Sequence, residues 1–136
     1  MSAGKAVARA AQACVGAPFR PQGRDPATGL DCVGLAGAAF RAAGIEADLP
    51  RAYAPRGGDP ARWADAIMAT GLRPVAAAAG EGDLLLLATG PAQFHLAVLT
   101  AGGFVHADAR LRRVVEVPGP PPWPVRGAWR AGERGD

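Results

Sequence analysis

Apolar positions recur at helical spacing in the first half of the chain and at strand-like spacing in the second. In residues 4–14, Ala6, Val7, Ala10, Ala11 and Cys14 fall on one stripe, which predicts an amphipathic helix. Gly16 and Pro18 end it, one by backbone freedom and the other by restricting its predecessor. Residues 20–29 carry two prolines and two glycines and read as an ordered loop leading to Asp31. Asp31 is a good N-cap for a second helix over 32–43, whose apolar face is Leu35, Ala36, Ala39 and Phe40, and Gly44 stops it. A connector rich in Pro and Gly, 45–58, leads to a third helix. Asp59 caps that helix, Pro60 sits in its first turn, and Trp63, Ile67 and Met68 are expected on its buried side.

From Leu72 onward the period changes. Residues 83–88, 94–100, 103–107, 112–117 and 124–129 are short strand-like runs separated by turn residues. Helices followed by an antiparallel meander of about five or six strands define an α+β fold. One domain spans 1–136, with its core over about 4–130 and a flexible tail at 131–136. The proline cluster 118–124 reads as a stiffened loop between the last two strands rather than as a polyproline ligand.

Composition narrows the classes. A chain of 136 residues, 49% hydrophobic and 20% charged, builds a single folded core. The net charge of +3 rests on fourteen scattered arginines and Lys5, which argues against a nucleic-acid partner. Two cysteines in a chain this long are not a disulfide scaffold, and Cys14, within the first amphipathic run, is expected to be free and buried. No apolar run approaches the ~20 residues of a membrane span, so no membrane insertion is expected. Arg9 and Gln12 interrupt any secretory leader, so synthesis in the cytoplasm without a signal peptide is the expectation.

The candidate chemistry centres on Asp31-Cys32-Val33-Gly34-Leu35. Cys32 stands where a glycine-bearing loop becomes a helix, and helix-start N–H groups favour a thiolate. It is a candidate nucleophile or, on the bland reading, a small core residue. Gly34 leaves room beside the sulfur for a substrate backbone, while Asp31 opposes thiolate formation unless it turns into the cap. The chain has two histidines, His95 and His106. Either alone is equally a hydrogen-bonded structural residue. Their spacing says more: with Thr100-Ala101-Gly102-Gly103 as a four-residue turn, Leu99 faces Phe104, Ala97 faces His106, and His95 becomes the diagonal neighbour of His106 on one sheet face. Asp108 then lies opposite His95 on that face, a second possible orienting partner. No paired-ligand spacing supports a metal, and no cofactor is implied.

Five motifs in order carry a family resemblance over residues 15–129: Gly29-Leu30-Asp31-Cys32-Val33-Gly34-Leu35, Leu49-Pro50-Arg51, Gly82-Asp83-Leu84-Leu85, His95-Leu96-Ala97-Val98-Leu99 and Phe104-Val105-His106-Ala107. The chain resembles the NlpC-type cell-wall cysteine peptidases. The resemblance implies a papain-like α+β domain with Cys32 as nucleophile, His95 as general base and acid, and His106 as orienting residue. It implies peptidoglycan stem peptides as substrate, cut between γ-linked D-glutamate and diaminopimelate. Asp31 is the expected contact for a substrate ammonium and Arg51 for a carboxylate, with attack by a thiolate beside a protonated His95. Val33 stands where the family has serine and Phe19 where tyrosine is common, so both bear on substrate recognition. In these features the chain looks like the tail-associated peptidases of phages and gene-transfer particles, which implies tail-tip partners and action at the wall as part of a particle. An inactive tail-tip adaptor and an intracellular amidase are the alternatives.

Overall fold

In the computed structural model, which describes residues 2–49 and 59–132, each helix starts on a side-chain cap. Ser2 Oγ accepts from the Lys5 N–H (3.1 Å) to open α1 (Ala3–Ala13). Asp31 Oδ1 accepts from the Gly34 N–H (2.8 Å) to open α2 (Cys32–Ala42). Asp59 Oδ1 accepts from the Ala61 N–H (2.9 Å), with Pro60 behind it, to open α3 (Pro60–Met68). A cap of this kind contributes about 1 kcal/mol, enough to place a helix start to the residue. Trp63 and Ile67, four apart, face the core, but Met68 is 45% exposed. It lies about 100° further round the helix, off the stripe that Trp63 and Ile67 share.

The loop at 20–29 is more structured than its composition predicts. It contains a small hairpin of β1 (Arg24–Asp25) and β2 (Gly29–Leu30). Gly29 has φ +140°, and a Cβ there would press on Arg20 Cβ at 2.5 Å, so the close approach of β2 to the segment at Arg20 needs glycine.

Among the described residues the main sheet has six antiparallel strands: β3 (Arg73–Pro74), β4 (Leu84–Gly90), β5 (Gln93–Leu99), β6 (Gly103–Asp108), β7 (Arg113–Pro118) and β8 (Val125–Arg130). Their order is β3-β8-β4-β5-β6-β7, so the expected meander fails at its last strand. β8 does not follow β7 but crosses the sheet to pair with β4. The outer edge of β7 is already occupied: Gly16 donates to Val114 O (2.9 Å), Val114 donates to Ala17 O (2.9 Å), and Phe19 donates to Arg112 O (2.9 Å). β4, in contrast, has Leu84 to Leu87 all buried, and such a strand needs a neighbour on each side. β3 was not predicted; two residues carry no readable period.

Alternation along the strands splits the core. Leu84, Leu86, Leu96, Val98 and Val105 face the helices and pack with Val7, Leu35, Phe40 and Ile67. Leu85, Leu87, Ala97 and Phe104 point to the opposite face, where Leu99, Val117 and Trp123 join them. Asp83, 1% exposed, accepts from both Arg130 Nε (2.9 Å) and Arg130 Nη2 (2.8 Å) and from the Gly80 N–H (2.7 Å), fixing the start of β4 to the end of β8. Ala131, expected in a frayed tail, is buried in the core at the end of β8; residues 133–136 lie outside the described residues. No helix among the described residues is long and apolar enough to cross a membrane.

Candidate active site

The turn predicted between the histidine-bearing strands forms: Thr100 donates to Gly103 O (2.9 Å), and Leu99 pairs with Phe104 as expected. The β5–β6 ladder then comprises only Val98↔Val105 and Leu99↔Phe104, so Ala97 and His106 lie beyond it. Past that point the start of α2 closes on β5, where the backbone N–H groups of Leu96 and Val33 act on the Cys32 thiol in favour of its thiolate. The strand that carries the imidazole therefore also touches the thiol.

His95 and His106 make one unit. His95 Nε2 and His106 Nδ1 are 2.9 Å apart, with ring centroids at 5.1 Å and planes nearly perpendicular. Among the described residues His95 Nδ1 makes no hydrogen bond, so one ring nitrogen is occupied and the other is not. Asp108 Oδ2 lies 3.9 Å from His106 Nε2, while Asp108 Oδ1 accepts from the Arg110 and Leu111 N–H groups (2.8 and 3.1 Å). Asp108 thus stands behind His106; the direct contact of His95 is His106. Cys32, His95, His106, Asp108, Asp31 and Phe19 line a single open groove of about 460 Å³, room for a peptide segment. Arg51 lies outside the described residues.

One expectation at this site needs correction, and Asp31, which lines the groove, proves to have structural duties as well. Both its oxygens are engaged by the chain. Oδ1 accepts from the Gly34 N–H (2.8 Å) and Arg24 Nη1 (2.9 Å), and Oδ2 accepts from the Gln22 N–H (2.8 Å). Its carboxylate is a cap and loop anchor. Gly34 was expected to leave space for substrate, but a Cβ on Gly34 would overlap the Gly23 carbonyl oxygen. The chain's own loop fills the space.

Burial acts against the expected thiolate–imidazolium form. Burial pushes the Cys32 thiol up to about 11; the Leu96 and Val33 N–H groups and Arg24 pull it down, and Asp31 adds to the rise. Burial, with the neighbouring His106, lowers His95 to about 4 against the opposing pull of Asp108. Burial also lowers His106, again opposed by Asp108. Burial pushes Asp108 up, but the Leu111 and Arg110 N–H groups and the charges of His106 and Arg110 together hold it below its ordinary value. Helix-start dipoles favour the thiolate, but loss of water outweighs them. Burial thus favours the uncharged form of the Cys32 thiol and of the His95 imidazole in the groove they share.

Trp123 is the site residue that sequence reasoning missed. Read as core or rim packing, it lines the groove with its ring centroid 6.3 Å from His95 and 5.8 Å from His106. The only signal for it was the company of five prolines between 118 and 124. Arg110, Gln93 and Thr89 also line the groove and carried no signal at all.

Fold and groove together define a class: an α+β domain with a helix-start cysteine packed against a sheet that carries a hydrogen-bonded imidazole pair. No family model and no curated protein matches the sequence. Solved structures match the fold, which is that of papain-like NlpC/p60 domains. NlpC2 from Trichomonas vaginalis is 19% identical, with a TM-score of 0.71 over 95% of this chain and 48% of that one. The NlpC/p60 domain of the peptidoglycan hydrolase SagA is 22% identical, with a TM-score of 0.60 over 85% of this chain and 88% of that domain. A lipoprotein-like NLP/P60 protein from Staphylococcus aureus is 23% identical, with a TM-score of 0.62 over 95% of this chain and 41% of that one. The chain spans about half or less of the first and third.

Proposed function

We propose that this protein is a cysteine peptidase that hydrolyses an amide bond in peptidoglycan stem peptides, with Cys32 as nucleophile, His95 as general base and acid, and His106 as orienting residue. The observation that carries the reading is the 2.9 Å contact between His95 Nε2 and His106 Nδ1, in the groove that Cys32 lines. With Nε2 protonated and donating to His106, the free Nδ1 of His95 is a base. The likeness to the NlpC/p60 domain of a peptidoglycan hydrolase supports the substrate class.

Burial of both groups favours a path in which proton transfer accompanies attack. As the sulfur attacks the amide carbon, the thiol proton passes to His95 Nδ1, the S–C bond forms, and the carbonyl oxygen becomes an oxyanion. The Cys32 N–H makes no hydrogen bond among the described residues, and it is the donor we assign to that oxyanion, a contribution of a few kcal/mol. His95 then protonates the leaving amine, the C–N bond breaks, and a thioester remains. Water, deprotonated by His95, cleaves it and the proton returns to sulfur.

The bond between γ-linked D-glutamate and diaminopimelate is the assigned target. Val33 and Phe19, the two residues that depart from the family pattern, both line the groove, which supports a substrate-recognition role for these positions. Delivery on a tail-like particle rests on the same two residues, and detection of the protein in purified particles tests it. For the activity, mass spectrometry of diaminopimelate-type muropeptides is run with wild type and Cys32→Ala in parallel. Wild type yields the two fragments of the cut and Cys32→Ala yields none at equal folded concentration. Equal digestion by both ends the proposal.

A further inference from the structure

The connection from β7 to β8 has an unusual path. It leaves one edge of the sheet and must pass β6, β5 and β4 before pairing with β4 on the far side. It travels over the face away from the helices, because Trp123 packs there with Phe104, Ala97 and Leu87. Both ends are pinned: Gly119 donates to Gly102 O in the β5–β6 turn (2.9 Å), and Ala88 of β4 donates to Pro124 O (2.9 Å). Between the pins lie Pro120, Pro121, Pro122 and Trp123, a segment with little backbone freedom to lose. Its one large side chain comes down on three rings. Trp123 meets His95, His106 and Phe104 with interplanar angles of 73°, 65° and 74°.

We propose that this strap is a positioning device for the imidazole pair: it fixes Trp123 over His95 and His106, holding the two rings in their mutual hydrogen bond and away from water. The proposal rests on the catalytic roles assigned above and adds a residue that they do not include. A loop that merely connected two strands would need neither two pins nor a ring in edge contact with both histidines. Phe104, centroid 5.3 Å from His106, backs the pair from β6, so the rings are gripped by aromatic surface from the strand and from the strap. The ionisable groups facing the pair are Asp108 on β6, Arg110 just after it, and Cys32 and Asp31 at the start of α2. β4 offers Leu87 and Thr89, and the strap offers no titratable group. Trp123 therefore acts on the histidines through dryness and geometry, not through charge. Burial is the largest influence lowering both imidazoles, so uncovering them raises their titration midpoints.

The test reads the rings directly. Imidazole 15N NMR titration, without substrate, is compared for wild type, Trp123→Ala, Trp123→Leu and Trp123→Phe, with circular dichroism to certify folding. In the Ala and Leu variants the His95 midpoint rises by about one pH unit or more and the single-tautomer signature is lost, while Phe recovers most of both. On muropeptides kcat falls roughly tenfold to a hundredfold with KM within about twofold, the pattern of lost positioning rather than lost binding. A folded Leu variant whose histidines titrate and tautomerise as in wild type overturns the proposal; if Trp123→Ala unfolds, the Leu variant decides. Should wild type not cleave wall peptides, the function proposal fails on its own and the titration still judges the strap.

Discussion

Gly34 and Gly37 lie one turn apart on α2, and replacing each by alanine should move stability in opposite directions. Both substitutions gain helix propensity and reduce unfolded-chain entropy, together close to 1 kcal/mol. At Gly37 an added Cβ meets nothing within 4 Å, so Gly37→Ala keeps that gain and melts about 2–4 °C higher. At Gly34 the same atom overlaps the Gly23 carbonyl oxygen and lies 3.0 Å from its carbon and 3.3 Å from Asp31 Oδ1. The loop cannot withdraw easily: Gly23 donates to Arg20 O (2.8 Å), its carbonyl accepts from Arg24 Nη1 (2.9 Å), and Gly23 is itself packed against the Gly29 carbonyl. Overpacking of this kind costs about 1–3 kcal/mol, and disturbing the Asp31 cap costs about another 1 kcal/mol. The net loss for Gly34→Ala is about 2 kcal/mol, or a fall on the order of 8 °C in melting temperature. Urea and thermal unfolding followed by circular dichroism measure both variants. Because the cap precedes Cys32, folded Gly34→Ala should also lose turnover while Gly37→Ala retains it. If Gly34→Ala is as stable as wild type, or both variants shift the same way, the argument from loop contact is wrong.

Three further outcomes follow from the geometry. His95 titrates near 4 when folded and near 6.5 when unfolded, so between those values the unfolded chain binds more protons and stability falls as pH drops, by up to about 3 kcal/mol; urea midpoints at pH 7 and pH 4.5 check this, and the acid limb of the pH–rate profile should lie near 4 rather than 6.5. His106→Ala removes the partner of His95 Nε2 and should lower kcat about a hundredfold in muropeptide assays, with His106→Asn recovering part of it. Asp83→Ala removes the acceptor of two Arg130 bonds and of the Gly80 N–H and should cost about 2–4 kcal/mol in urea unfolding.

Much of the site was legible before any coordinates. Asp31 announces a cap by its chemistry, and the four-residue spacing between Leu99 and Phe104 sets the register that puts both histidines on one face. Met68 and the last strand misled for a shared reason: local period reports amphipathicity, not which neighbour remains free to be paired. Gly34 was read as an opening because a glycine announces only missing atoms; the Gly23 carbonyl that fills the gap arrives from eleven residues away. Burial of the Cys32 thiol was hidden likewise, since a helix start is visible in sequence and burial is not.

By itself the sequence determined where the helices begin, how the β5–β6 turn is built, and which thiol and imidazoles were available, because caps, turns and alternation act over a few residues. Tertiary structure alone decided that β8 inserts beside β4, that the proline-rich strap therefore crosses the outer face, and that Trp123 lands on the histidines. Those outcomes depend on which strand edges and apolar faces remain uncovered once the rest has folded. That is a property of the packed chain as a whole, and no local stretch of residues encodes it.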